Sequence, residues 1–455
     1  MHKQKKVLAI ALVLGLLFSF YTWIRFSKEE RKVYRLSIVA AHNNEIKELV
    51  IPFLQKKCKE RYGADLEIEW VKYGGQNANI KVINASFKKN RDATCGYDVI
   101  WGGGEAIFYK LHDEKRLTTF HLSPELEKSI PPTLAGVRLY NKDPRERTWI
   151  AVYMSTFGII YNKVLLQGHK LRVPAVWEDL AREEFFGKVV GVDPTQSSSM
   201  GTIHAVILQV HGWSKGWEIL TKMSANVTAF LEKGSSSAMS VAHRNAILSM
   251  TIAYYAQELI SELGEDQVGF VLPIRENVIN TDPIAILKGA PHPEMAAFCI
   301  ETILSKEFQM LCILKKDSLH GPTSCTLGRI GVNKSAYEAA QPNSIASVLN
   351  PFQIKEHPIK LEINSFKRRY PVLSALFKAT CISPHAKLRE AWWYVIQHGS
   401  LPEDVALLTR CPLNEDQLSE VIEKWNDPLW RKEKIIAWEN EALNRYQQII
   451  NKYAK

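Results

Sequence analysis

Read as a string of apolar and polar positions, the chain falls into four stretches. Val7 to Ile24 (VLAIALVLGLLFSFYTWI) is an uncharged run of 18 residues behind Lys3, Lys5 and Lys6. A basic start followed by an apolar run is the pattern of an export signal, and about 18 residues is the lower limit for a membrane-spanning helix. The run keeps no polar stripe, unlike the helix of a soluble core. Phe18, Phe20, Tyr21 and Trp23 crowd the place where a small-x-small cleavage site belongs, and no cysteine precedes Cys58, which excludes a lipoprotein anchor. Tyr21 and Trp23 suit a membrane interface. An uncleaved anchor is the favoured reading and a cleaved signal the alternative. Either way the folded part lies outside the cytoplasm.

From Tyr34 onward short apolar runs alternate with amphipathic segments. Leu36–Ala41 reads as a buried strand, and Ile46, Leu49, Val50, Phe53 and Leu54 mark one side of a helix. A strand is expected over Leu66–Val71, a helix around Ile80–Phe87, and a strand over Tyr97–Trp101 that runs into Gly102-Gly103-Gly104-Glu105. The middle repeats the theme, with apolar runs in Trp149–Tyr161, a strand at Val189–Val192 and helices over Met200–Val210 and around Trp213, Trp217 and Leu220. Gly234 to Ser237 reads as a loop and Ala242–Leu263 as one helix. Val268–Leu272 and Asp282–Leu287 read as strands, and Glu294–Leu304 as a helix. Repeated β-α-β order predicts an α/β fold with a mainly parallel sheet. Beyond Gln309 helical spacing takes over, ending in Lys432–Tyr453, where Ile435, Trp438, Leu443, Tyr446, Ile450 and Tyr453 form a core face.

Composition changes this picture little. The 455 residues are 46% hydrophobic and 23% charged, as in a globular protein with two or three domains. A formal net charge of +10 fits an anionic membrane surface, a nucleic acid or an anionic ligand. No recognition helix, zinc-finger spacing or RNA-binding aromatic motif accompanies it, so nucleic acid is set aside. The seven cysteines form no C-x-x-C pair and no zinc spacing. A bridge such as Cys312–Cys325 is open to an exported protein, but sequence does not choose a pairing.

Several phrases in order resemble the iron-type (ferric-binding-like) branch of bacterial extracellular solute-binding proteins of ABC importers. They are Ala41-His42-Asn43-Asn44-Glu45, Tyr73-Gly74-Gly75-Gln76, Tyr97 to Gly104, Phe157 to Lys163, Trp177 to Leu180, Gly187 to Ser197, Lys288 to Glu294 and Leu304 to Gln309. The resemblance implies a type II periplasmic-binding fold with two lobes and a helical C-terminal layer. It places a signal or anchor in 1–33, lobe 1 in 34–150 plus 283–310, lobe 2 in 151–282, and a helical region in 311–455. Crossings near Ser155 and Asp282 would form the hinge. The implied partners are an ABC permease and its ATPase, a small ligand, and the membrane through the N-terminal segment. The implied state is a monomer in the periplasm or on the outer face of the cytoplasmic membrane.

Ligands of such folds sit at strand carboxyl ends and helix N-termini, where unpaired N–H groups point outward. His42 and Asn43 follow the first strand; Gly103 and Gly104 let backbone approach a ligand, and Glu105 supplies charge. The glycine run is equally well a tight turn, and its spacing is not that of a dinucleotide fingerprint. Ser197 and Ser198, with Ser199, precede a helix and suit an oxyanion, while one of them is expected to be its N-cap. Ser155 and Asp282 lie at the proposed hinge. The resemblance also makes Tyr254 and Tyr255 candidate phenolate ligands for Fe(III) as the transported solute, completed by His42 and Glu105. Adjacent residues on a helix point about a quarter-turn apart, so one of the pair also reads as core. The stretch Val241 to Asn245 departs from the glycine-containing turn of the family.

The functions open at this point are a binding protein for ferric iron, one for a polyamine, one for a sugar phosphate or an organic anion, and an anchored extracytoplasmic enzyme or sensor. No G-x-S-x-G elbow, H-E-x-x-H pair or P-loop supports catalysis. No cofactor is implied beyond the candidate iron.

Overall fold

The structure is a computed structural model that describes residues 32–454 except Ala41, Asn43, Gly75, Lys142, 341–349, 355–358 and 360–362. The N-terminal apolar run and Asn43 therefore lie outside the described residues. Among the described residues, no helix is long and apolar enough to cross a membrane.

Strands β1 (Val33–Ala40), β2 (Asp65–Val71), β3 (Val99–Trp101) and β4 (Leu117–Thr118) come first, then a hairpin of β5 (Thr133–Leu134) and β6 (Val137–Arg138). β7 (Ile150–Ser155) and β8 (Phe157–Asn162) follow, separated by Thr156 alone. β9 (Val189–Val192), β10 (Val227–Leu231), β11 (Leu248–Ile252) and β12 (Val268–Val271) alternate with helices, and β13 (Asn280–Leu287) and β14 (Ile330–Gly331) end the series. Apart from the two-stranded β5-β6 hairpin, they build two sheets, one in the order β14-β7-β13-β3-β1-β2 with β4 on β13, the other β10-β9-β11-β8-β12. The fold is thus two α/β lobes, each with its own sheet. β1, β2 and β3 are mutually parallel, as are β9, β10 and β11, while β13 and β8 run antiparallel to their neighbours.

Packing explains the register. β1 begins exposed and is fully buried from Leu36 to Ala40, so it delivers the residues after it into the interior. One core joins β1, β7 and β13 to the helices Asn44–Tyr62, Pro293–Leu304 and Lys306–Ile313. The other joins β8 and β9 to the helix Ser198–His211 and to Val372, Leu388, Trp392, Trp438, Tyr446 and Ile450 of the C-terminal helices, which therefore pack on the second lobe. Buried aromatic side chains such as Trp177 and Trp392 each remove about 150–250 Å² from water, which makes them main contributors to this core.

The chain passes between the lobes at Thr156, again in 272–279 between β12 and β13, and a third time beyond the Lys334–Ala340 helix. The first two passages are tied together by Asn277, whose side chain accepts from the Phe157 N–H and donates to the Phe157 carbonyl. Four sequence expectations are corrected. The larger sheet is not mainly parallel, because every pairing made by β13 and β7 is antiparallel and only β1-β2 and β1-β3 are parallel. The run 242–263 is not one helix, because β11 inserts between the helices Gly234–Ala242 and Ala253–Leu263. Gly234 to Ser237 is the first turn of the former rather than a loop. Strands do not stop at Gln309, since β14 adds an edge to β7. All seven cysteines are free.

Candidate functional site

Because β1, β2 and β3 run parallel, the residues after their carboxyl ends gather at one edge of the first sheet. His42 follows β1, Lys72 follows β2 and Gly102 to Gly104 follow β3. Asp282 enters from antiparallel β13, at a register shift between Asp282 and Pro283. Proline has no N–H to give a ladder, and a shift of this kind is where an interior strand tolerates it. The shift aims the Asp282 carboxylate at the glycine turn, where Oδ1 accepts the Gly103 N–H at 3.1 Å and Oδ2 lies 3.7 Å from His42 Nε2. Gly102 (φ +91°) is required here: a Cβ would fall 2.9 Å from His42 Cε1 and 3.2 Å from Asp282 Oδ1.

The walls are aromatic. His42 meets Trp101 edge-on at 4.8 Å between centroids and Tyr153 at 6.0 Å, and Trp101 lies 5.7 Å from Tyr153. Across from them Tyr254 and Tyr255 begin the Ala253–Leu263 helix at the carboxyl end of β11, with their rings 4.4 Å apart. Between the two walls lies Arg329, whose guanidinium sits 3.2 Å over the Tyr254 ring and 5.3 Å from the Tyr153 ring. Only 5% of Arg329 is exposed, its Nε has no hydrogen-bond partner, and no carboxylate among the described residues is within ion-pair distance of it. His42 Nε2, Trp101 Nε1 and Tyr153 OH are buried without partners in the same cluster.

Burial decides the charges. It lowers His42 well below the usual histidine range, reinforced by Arg329 and Lys72, so the imidazole is neutral. Burial lifts Asp282 to about 6, against the opposing pull of Arg329 and the Gly103 N–H. Glu258, one turn beyond Tyr254 and Tyr255, is raised to about 7 by burial and by Glu45, with Arg329 opposing. Burial also raises the Tyr255 phenol well above its ordinary value. Arg329 stays charged: burial opposes its proton, but the Tyr254, Tyr153 and Asp282 sides hold it. An arginine with this little compensation is a strong site for a desolvated anion.

The structure thus gathers His42, Gly103 and Asp282, with Gly104 capping the helix Glu105–Asp113 beside them. Glu105 adjoins the cluster through Thr281, whose hydroxyl donates to it at 3.4 Å. Ser155 ends β7 opposite Asn280, at the passage between lobes. Ser197 and Ser198 start the Ser198–His211 helix at the carboxyl end of β9, the strand beside β11, and so share a sheet edge with Tyr254 and Tyr255. Ser197 occupies the N-cap position, as expected for one of the three serines, with no hydrogen bond from the helix to its side chain. Arg329, Tyr153, Trp101 and Glu258 were not among the sequence candidates; the signal for Arg329 is the short run Gly328 to Val332, an arginine between glycines entering an apolar edge strand. Among the described residues there is no cluster of three or more His, Cys, Asp or Glu side chains that could hold a metal.

A family model described as bacterial extracellular solute-binding protein matches residues 97–324, half of the chain. The phosphoglycerate transport regulatory protein PgtC of Salmonella typhimurium is 22% identical over 368 residues, covering 78% of this chain and 83% of that protein. The periplasmic binding protein AfuA from Actinobacillus pleuropneumoniae, solved with exogenous fructose-6-phosphate bound, matches with a TM-score of 0.57 at 19% identity, over 74% of this chain and 93% of its own. Iron-bound HitA from Pseudomonas aeruginosa matches with a TM-score of 0.54 at 17% identity, over 75% of this chain and 98% of its own. At such identities the structural likeness carries the two-lobed fold and leaves the solute open.

Proposed function

We propose that this chain, which belongs to the bacterial extracellular solute-binding protein family, captures a small anionic solute between its lobes and delivers it to an ABC permease and its ATPase. The carrying observation is Arg329, a buried cation without an ion-pair partner among the described residues, set between tyrosines of both lobes. Trp101 Nε1 and Tyr153 OH add donors that an oxyanion would satisfy, and Asp282 can accept from a solute hydroxyl. Ser197 and Ser198, at a helix N-terminus on the facing sheet edge, offer a second anion contact. The phosphorylated solutes in the names of PgtC and of the AfuA structure support this class. His42, Gly103, Gly104, Glu105, Ser155 and Asp282 complete the proposed first-lobe wall and hinge, and Asn43, outside the described residues, is kept as a candidate from the sequence alone. Lobes divided at Thr156 and 272–279 rather than at the limits set out from the sequence, a monomeric state, and a periplasmic chain held to the membrane by its N-terminal segment belong to the same proposal.

The second reading is ferric iron, favoured by Tyr254 and Tyr255 standing together at the site. Against it, a guanidinium on the Tyr254 ring repels a trivalent cation, and burial disfavours the Tyr255 phenolate. The test is calorimetric titration with 3-phosphoglycerate, fructose 6-phosphate, ferric citrate and spermidine. An organic phosphate should bind, and Arg329→Met should weaken it on the order of 100-fold, the cost of removing one side of a desolvated charge pair. Binding of spermidine, or a coloured ferric complex lost on Tyr254→Phe, with no effect of Arg329→Met, would overturn the anionic reading.

A further inference from the structure

Residues 314–331 form a strap that belongs to the first lobe at both ends. Leu314 and Leu327 lie in the first-lobe core, the Arg329 N–H donates to the Cys312 carbonyl at 2.9 Å, and Ile330 and Gly331 pair with β7. Gln309, fully buried, locks the far end: Oε1 accepts the Val332 N–H at 2.8 Å while Nε2 donates to the Val152 carbonyl at 2.9 Å.

Near its C-terminal end the strap meets the second lobe at Thr326, Gly328 and Arg329, each against the Ala253–Leu263 helix. Ser261 Oγ donates to Thr326 Oγ1 at 2.7 Å. Gly328 lies so close that a Cβ would fall 2.6 Å from Gln257 Cβ, and its φ of +59° is one that glycine adopts without strain. Arg329 covers the Tyr254 ring at 3.2 Å. Tyr254, Gln257 and Ser261 are spaced by three and four, so they line one face of that helix. A first-lobe segment held at both ends therefore fits a single stripe of a second-lobe helix, with a hydroxyl pair, a backbone contact and a cation–ring contact in succession.

We infer that this strap is an interlobe clasp that defines the closed state, in which Thr326 and Gly328 are positioning residues that lay Arg329 across the solute site. The clasp rests on the two-lobed solute-binding reading but not on the charge of the solute. Opening the lobes must separate Thr326 from Ser261 and lift Arg329 off Tyr254, so the residue that meets the solute is the one whose position reports closure.

The test is disulfide trapping in the full chain with Cys325→Ser, Ser261→Cys and Thr326→Cys. Side-chain oxygens 2.7 Å apart place the two Cβ atoms near the separation of about 3.5–4.5 Å that a disulfide needs. Mild oxidation should join the two cysteines, lower the radius of gyration measured by X-ray scattering, and be reversed by dithiothreitol. Adding Gly328→Ala should slow trapping at least tenfold, whereas Gly63→Ala should not, since Gly63 has a similar φ of +65° and nothing within 4 Å of its Cβ position. In the otherwise native chain, Thr326→Val should speed amide exchange in the Ala253–Leu263 helix and Thr326→Ser should restore it. Failure of the folded double-cysteine protein to cross-link, equal trapping in the two glycine variants, or cross-linking without compaction would each overturn the clasp. Trapping as expected in a protein that binds neither 3-phosphoglycerate nor fructose 6-phosphate would uphold the clasp and count against the anionic solute alone.

Discussion

Replacing Asp282 by asparagine is expected to stabilise the protein at neutral pH far more than in acid. Burial lifts the Asp282 carboxyl from its ordinary 3.8 to about 6 even though Arg329 and the Gly103 N–H favour the ion. Its ionised form is therefore penalised in the folded state. Between roughly pH 4 and 6 the folded chain holds the proton that the unfolded chain has released, so stability falls as pH rises and the full cost is present above pH 6. About two pKa units at 1.36 kcal/mol each set a ceiling of ~3 kcal/mol. The side chain is 16% exposed, which solvates part of that charge, so the advantage of Asp282→Asn should grow by about 1–2 kcal/mol from pH 4.5 to pH 7.5. Asparagine keeps an oxygen for the Gly103 N–H, so the turn survives the exchange. Urea unfolding of both proteins at the two pH values measures the difference. The substitution also removes a negative charge beside Arg329, and anion affinity at pH 7.5 should rise about tenfold, roughly 1.4 kcal/mol. An advantage that is constant or shrinks with rising pH would refute the assignment of burial as the dominant cause.

Other expectations concern the supports of the fold. Arg147 is fully buried, bonded to both carboxylate oxygens of Glu127 at 2.7 and 2.9 Å and stacked on Tyr140, so Glu127→Ala should cost about 3 kcal/mol in urea unfolding by leaving the cation unpaired. A Cβ at Gly201 would fall 1.9 Å from the Tyr370 ring; Gly201→Ala should cost about 1–3 kcal/mol and expose the C-terminal helices to limited proteolysis. The native chain, made in an export-competent host, should stay with the membrane fraction and keep its N-terminus; N-terminal sequencing that begins near Ser27 or later would show a cleaved signal instead.

Where sequence and structure agree, the reason is local. β1, β3, β9 and the later part of β13 are short apolar runs and β2 alternates polar with apolar residues, so pattern alone finds them, and with them His42 after β1, the glycine turn after β3 and Asp282 early in β13. β11 is the instructive miss. Leu248 to Ile252 is buried on both faces and runs straight into an apolar helix, so neither the strand period nor the helix period stands out across 242–263. Gly234 to Ser237 has the composition of a loop, yet the first turn of a helix demands no intrahelical N–H bond and tolerates such residues. Arg329 was hidden for another reason. It precedes a two-residue strand, too short to leave a period, and its meaning comes from meeting Tyr254, 75 positions earlier, across a lobe boundary that periodicity does not encode.

The location of the cluster bears on how binding becomes a signal. Asp282 pairs with Tyr153 across β13 and β7, one strand leading into the passage at Thr156 and the other receiving the passage through 272–279. A solute bound at Arg329, as proposed, would press on the two strands from which the hinge departs. To turn an ensemble from 1:99 closed to 99:1, a ligand must favour the closed form by about 5.5 kcal/mol. A desolvated ion pair, made only once Tyr254 and Tyr255 close over Arg329, is worth about 2–5 kcal/mol. Burial of the two tyrosine rings against the solute and the strap can supply the remainder. A neutral solute of similar size would have to find the whole difference in surface and hydrogen bonds while leaving Arg329 buried and unpaired. If Arg329 meets the solute as proposed, the buried charge that makes an empty closed form costly would also make an occupied one selective for a negative charge.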